Sequence, residues 1–109
     1  MAASVYSTRF VNAQLTGTNT TYFTVPAGYV AVVRTMTAGW SAPASGAGIV
    51  QVLLNGANSY VWVAPIQASE LASALWNGRL VLPAGEIIRA ANTGTATVRL
   101  TVSGYLLTL

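Results

Sequence analysis

The chain contains no cysteine, no histidine, no lysine and no aspartate. Each absence removes a kind of chemistry. Without cysteine there is no disulfide framework and no thiol nucleophile. Without histidine, the usual general base of a nucleophilic triad is missing. A metal site would have to use two glutamates and carbonyl oxygens, so none is expected. Charge is scarce as well: 6% of the 109 residues are charged, against about 25% in an ordinary soluble domain. The charges are Arg9, Arg34, Arg79, Arg89 and Arg99 against Glu70 and Glu86, a net of +3. The pI of 9.8 reflects the shortage of acids rather than a basic cluster. Scattered arginines do not make a groove that neutralises several phosphates, so a nucleic-acid partner is not expected. No run approaches the roughly 18 uninterrupted apolar residues of a membrane helix, so no membrane partner is expected. The first residues show no basic segment followed by an apolar run, so no secretory signal is expected.

What the chain does have is apolar residues, 53% of the total, dispersed in short runs. Its length is that of one domain, spanning residues 1–109. The surface must be built from Thr, Ser, Asn, Gln, Gly and apolar side chains. Little charge repulsion then holds copies apart, which favours association. This composition points to a surface used for contacts with other subunits.

One short pattern occurs twice. Val25-Pro26-Ala27-Gly28-Tyr29-Val30 returns as Leu82-Pro83-Ala84-Gly85-Glu86-Ile87. Proline fixes φ at the value suited to a turn's second position, and glycine accepts positive φ. Each copy reads as a type II-like turn that delivers the chain into a strand. Val33-Arg34 and Ile88-Arg89 follow the two turns in similar places. Either the protein is made of two related halves, or these are two ordinary Pro-Gly turns in an all-β chain.

The remaining segments fit the all-β reading. Strands are expected over 5–11, 22–25, 29–37, 49–54, 59–63, 76–82, 86–91 and from 98 to the end. Asn55-Gly56 is the strongest hairpin signal in the chain. Residues 38–48 read as a small-residue loop containing Trp40. Residues 66–75 read as a short helix capped by Ser69, or as an extended loop. Val98, Leu100 and Val102 alternate with Arg99, Thr101 and Ser103, and Gly104 suggests a bulge. About eight short antiparallel strands in related halves predict a single-domain, jelly-roll-like β-sandwich.

Few residues could carry chemistry. Glu70 and Glu86 are the only possible carboxylate pair. Nothing in the spacing brings them together for glycoside hydrolysis. Trp40, Trp62 and Trp76 could stack on sugars, pack in the core or anchor an interface. Trp40 is the best candidate for an exposed anchor, and Trp76 could cover one end of the sandwich. Five arginines face two acids, so at least three lack a carboxylate within the chain. Arg34, Arg89 and Arg99 are the arginines placed as candidate interface residues.

The pattern Val25-Pro-Ala-Gly-Tyr-Val-Ala-Val-Val-Arg34, then Leu54-Asn-Gly56, then Trp76-Asn-Gly-Arg-Leu-Val-Leu-Pro-Ala-Gly85, then Val102-Ser-Gly-Tyr-Leu106 resembles small virion structural proteins of tailed bacteriophages, notably those infecting actinobacteria. The likeness runs from about Val5 onward and consists of turns and strand cores. It implies a non-enzymatic structural protein without cofactor, made in the host cytoplasm and built into the virion. Capsid decoration proteins of this size commonly sit on the shell as homotrimers bound to the major capsid protein. Similar proteins also occur in the tail. A carbohydrate-binding module using the three tryptophans is a further reading.

Overall fold

The computed structural model describes residues 5–40, 48–54, 59–66, 73–94 and 97–108. Among the described residues there are eight strands and no helix. They are β1 (Val5–Gln14), β2 (Thr20–Thr24), β3 (Tyr29–Trp40), β4 (Gly48–Leu54), β5 (Ser59–Ile66), β6 (Ser73–Leu82), β7 (Ile87–Asn92) and β8 (Val98–Thr108). Two four-stranded antiparallel sheets form, ordered β1-β8-β3-β6 and β2-β7-β4-β5. The pairs β4–β5, β3–β6, β2–β7 and β1–β8 are nested, as if one long hairpin were wound into two layers. That is the jelly-roll arrangement of a β-sandwich, as expected.

The two Pro-Ala-Gly turns lie side by side at one corner of this winding. At the first, the chain passes from β2 in the second sheet to β3 in the first. At the other it passes from β6 back to β7. Val25 N–H donates to the Glu86 carbonyl, and Gly85 N–H donates to the Val25 carbonyl, both at 2.9 Å. Because β2 pairs with β7 and β3 with β6, an approximate two-fold at this corner relates β2 to β6 and β3 to β7. The residues before the prolines, Val25 and Leu82, are both buried. The repeated motif is therefore the two strands of one bent ribbon.

The turn geometry differs from expectation in one respect. Tyr29 N–H donates to the Pro26 carbonyl, and Glu86 N–H to the Pro83 carbonyl. Each proline is thus the first residue of its turn, not the second. Each glycine holds the third position, with φ of 84° at Gly28 and 88° at Gly85, as a type II turn requires. Proline's contribution is to end the preceding strand, since it has no N–H to extend a ladder.

The core lies between the sheets. Inward positions of the first sheet supply Phe10, Ala31, Val33, Met36, Val98, Leu100 and Val102. The second supplies Val50, Val52, Ile88 and Ala90. Phe10 on β1 meets Phe23 on β2 across the layers, ring centroids 4.8 Å apart and tilted by 52°. The one buried polar side chain among the described residues, Asn92, ties the far end together. Its Oδ1 accepts from Ile49 N–H and Gly94 N–H, each at 3.0 Å. The Asn92 N–H donates to the Thr16 carbonyl at 2.8 Å.

Four local expectations change. Ala38, Gly39 and Trp40 continue β3 rather than opening a loop. Pro65 lies inside β5, tolerated because β5 is the outermost strand of its sheet. Ser73, Ala74 and Leu75 are extended in β6, so no helix reaches them; Ser69, like Asn55 and Gly56, lies outside the described residues. Gly104 is not itself the bulge. The register shifts fall on its neighbours, at Phe10 of β1 and Arg34 of β3. A Cβ on Gly104 would stand 1.9 Å from the Val32 carbonyl oxygen and 3.1 Å from the Phe10 ring. The glycine lets three strands close up at the level where two of them bulge.

Candidate functional site

Strand alternation assigns each side chain to a face, and the bulges reset it. On β8, the buried Val98, Leu100 and Val102 point inward, so Arg99, Thr101, Ser103, Tyr105 and Leu107 form the outer face. On β6 the exposed Leu75, Asn77, Arg79 and Val81 are outward. The outer face of the first sheet then divides at the bulge level. Toward the Pro-Ala-Gly corner it is apolar. Val32 there is buried outside the central core, flanked in register by Val81 and Tyr105. Val30 and Leu107 pair beside it. Beyond the bulge it is polar, with Asn12, Thr101, Ser103, Thr35, Thr37 and Asn77, apart from the exposed Leu75 at the β6 edge.

Arginines mark the boundary. Arg9 pairs with Ser103, Ser103 with Thr35, and Thr35 with Asn77, one residue from each strand in turn. Arg34 is the bulge residue just before Thr35. Arg79 follows Gly78 on β6, between the residues paired with Val33 and Thr35. Arg9, Arg34 and Arg79 are all exposed. They line up across the sheet, perpendicular to its strands, over about 14 Å for three inter-strand steps. Arg34 and Arg79, with Thr35, Asn77 and Gly78, line an open depression of about 650 Å³. None of the three makes an ion pair among the described residues, where Glu86 is the only carboxylate.

The residues singled out from sequence separate. Arg99 lies on this outer face, its Nε donating to Asn12 Oδ1 at 3.1 Å. Arg89 lies on the outer face of the second sheet, between the buried Ile88 and Ala90. Arg34 and Arg89 therefore serve opposite faces. Trp62 and Trp76 are half-buried against the core rather than set out as a platform. Trp76 lies over Gly78, where a Cβ would come within 2.7 Å of its ring. The Trp40 side chain and Glu70 lie outside the described residues, so the Glu70–Glu86 pairing has no geometry here. Arg9 and Arg79 were not singled out as interface residues. Their signal is the broken alternation beside them, Phe10-Val11 and Gly78.

A second feature concerns the edges. Strands β5 and β6 are the outermost strands of their sheets and lie next to each other on one side of the sandwich. The large apolar side chains left exposed lie on these strands and their neighbour β4, on the two outer faces: Leu75 (61%) and Val81 (58%) on the first sheet, Val63 (51%) and Ile49 (40%) on the second. Uncovered strand edges with apolar side chains are pairing surfaces.

The molecule thus belongs structurally to the jelly-roll β-sandwiches. No protein-family model matches the chain, and no characterised protein matches it in sequence.

Proposed function

We propose that this chain is a non-enzymatic structural protein that acts by assembly. Its role is that of a bacteriophage virion component, sitting on the outside of the capsid as a homotrimer and reinforcing the shell. The observation that carries the reading is the side of the sandwich where β5 and β6 leave both sheets open, with Val63, Leu75 and Val81 exposed. In a chain with 6% charged residues, little opposes contact between copies there. Fully burying one such side chain contributes roughly 1.5–3 kcal/mol, so a few per copy support a stable oligomer. The resemblance to phage virion proteins rests on turn and strand residues and supplies the setting. The mechanism is mechanical: each trimer bridges neighbouring shell subunits, and its contacts must break before the shell can expand.

Two measurements test this. Light scattering after size exclusion reads the mass of the purified chain, which is expected to be a trimer that Leu75→Lys with Val81→Lys dissociates. Immunogold labelling of particles is expected to mark the capsid; label on the tail would move the protein there. A monomer that never copurifies with particles ends the proposal.

A further inference from the structure

We infer that the outer face of the first sheet is the docking surface, and that it takes an acidic protein surface presenting a row of carboxylates. The inference rests on the assembly reading and adds to it the face and the chemistry of the partner. It starts from Arg9, Arg34 and Arg79. Three of the five arginines fall on one line across the sheet, although they are distant in sequence. All three lie at register shifts: Arg34 is the extra residue of β3 against β8, Arg9 immediately precedes the extra residue of β1, and Arg79 lies at the shift between β3 and β6. Bulges commonly re-aim side chains at functional places. The depression between Arg34 and Arg79 has Asn77 and Thr35 as additional hydrogen-bonding groups. A guanidinium offers paired donors in a plane, which a carboxylate matches with both oxygens.

The surroundings decide the kind of partner. On the corner side of the row, Val30, Tyr105 and Leu107 present a partly exposed apolar patch over the buried Val32. An apolar patch beside a charged row fits a protein surface, whose interfaces combine the two. A nucleic acid would use the arginines but leave the patch uncovered, and three phosphate contacts give only weak binding. A second copy of this chain does not fit, because stacking two such faces brings arginine rows together with only Glu70 and Glu86 to offset them. The face is four strands wide and about eleven residues long, hence about 19 Å by 37 Å or roughly 700 Å². That is close to one partner's share of a standard interface, about 800 Å².

The test uses the full chain and a labelled oligo-glutamate, followed by fluorescence anisotropy at low salt. Oligothymidylate of equal charge is the competing probe. Arg9→Gln, Arg34→Gln and Arg79→Gln are each expected to weaken oligo-glutamate binding about threefold, and all three together about twentyfold or more. Arg99→Gln removes the same charge from the same face but outside the row, and is expected to change binding less than about 1.5-fold. Thermal melts of each variant should match the wild type, because these side chains are exposed. Equal effects of Arg99→Gln and the row variants, tighter binding of oligothymidylate, or no binding of oligo-glutamate each overturn the inference. The two readings fail separately. Loss of oligomer in the edge variants with row variants that bind normally sinks only the docking face. A monomer that binds oligo-glutamate through the row sinks only the trimer.

Discussion

Replacing Gly104 with alanine adds one methyl group at the most crowded point between strands. Its Cβ would stand 1.9 Å from the Val32 carbonyl oxygen, where real Cβ contacts essentially never fall below 3.0 Å. The obstacle is backbone, so no rotamer change relieves it. β8 and β3 must separate locally by at least about 1 Å, which stretches ladder hydrogen bonds beyond useful length. The Phe10 ring, 3.1 Å from the same Cβ, closes the other route. Overpacking of this kind costs about 1–3 kcal/mol, and a disrupted backbone hydrogen bond adds about 1 kcal/mol. Alanine's lower unfolded-state entropy offsets about 0.4–1 kcal/mol. The expected loss is about 2 kcal/mol, or a fall in melting temperature of about 8–16 °C for a domain near this size. Urea and thermal unfolding by circular dichroism read it directly. Gly78→Ala is the matched control. Its Cβ meets only the far edge of the Trp76 ring, at 2.7 Å, which can rotate away, so its cost is expected below about 1.5 kcal/mol. A Gly104→Ala protein within about 0.5 kcal/mol of wild type would refute the steric reasoning, since that is the scatter of ordinary surface changes.

Other perturbations address the corner, the far end and the edges. Gly28→Ala and Gly85→Ala meet no atom within 4 Å, so each isolates the strain of positive φ, about 1–2 kcal/mol in equilibrium unfolding. Asn92→Ala removes the acceptor of the Ile49 and Gly94 N–H groups. Stability should fall by about 2–3 kcal/mol, with faster hydrogen exchange at those two amides; unchanged protection there would show that Asn92 is not the clamp. Val63→Lys on the exposed face of β5 should leave unfolding within about 0.5 kcal/mol of wild type while lowering the oligomer mass read by light scattering.

Much of the architecture was legible because a jelly roll is written in local signals. Alternation in 98–103 identified β8 and its faces, and the burial of Val98, Leu100 and Val102 follows it. The two Pro-Ala-Gly motifs marked the corner, though not that the copies sit on antiparallel strands of one ribbon, because adjacency across 57 residues leaves no local trace. Pro65 ended β5 too early in the sequence reading; whether proline breaks a strand depends on its being at an edge, which is a tertiary fact. The candidate surface was less legible still. Arg34 and Arg89 occupy similar places after the two turns, but β3 and β7 belong to different sheets, so their outward side chains lie on opposite faces of the sandwich. Arg9 and Arg79 joined Arg34 only through register, which single-strand patterns do not contain.

The bulge level links the interior of the molecule to its surface. Phe10 is the extra residue of β1, and it points inward to meet Phe23 of the opposite sheet. Accommodating that ring requires Gly104 to have no side chain. On the adjoining strand the extra residue is Arg34, which points outward. One irregularity running across three strands thus sends an aromatic ring into the core and a guanidinium out of it. Regular strands could not place Arg9, Arg34 and Arg79 on one line without moving the alternation that buries Val33, Met36 and Val102. The bulges separate the two demands. Packing fixes the residues on either side, and the inserted positions are left to orient charge. Deleting Arg34, for instance, would make Val33 and Thr35 consecutive opposite Gly104 and Ser103, leave Met36 and Ala38 facing inward, and remove only the outward guanidinium. The core alternation on either side therefore does not depend on Arg34, and the inserted position is free to carry charge.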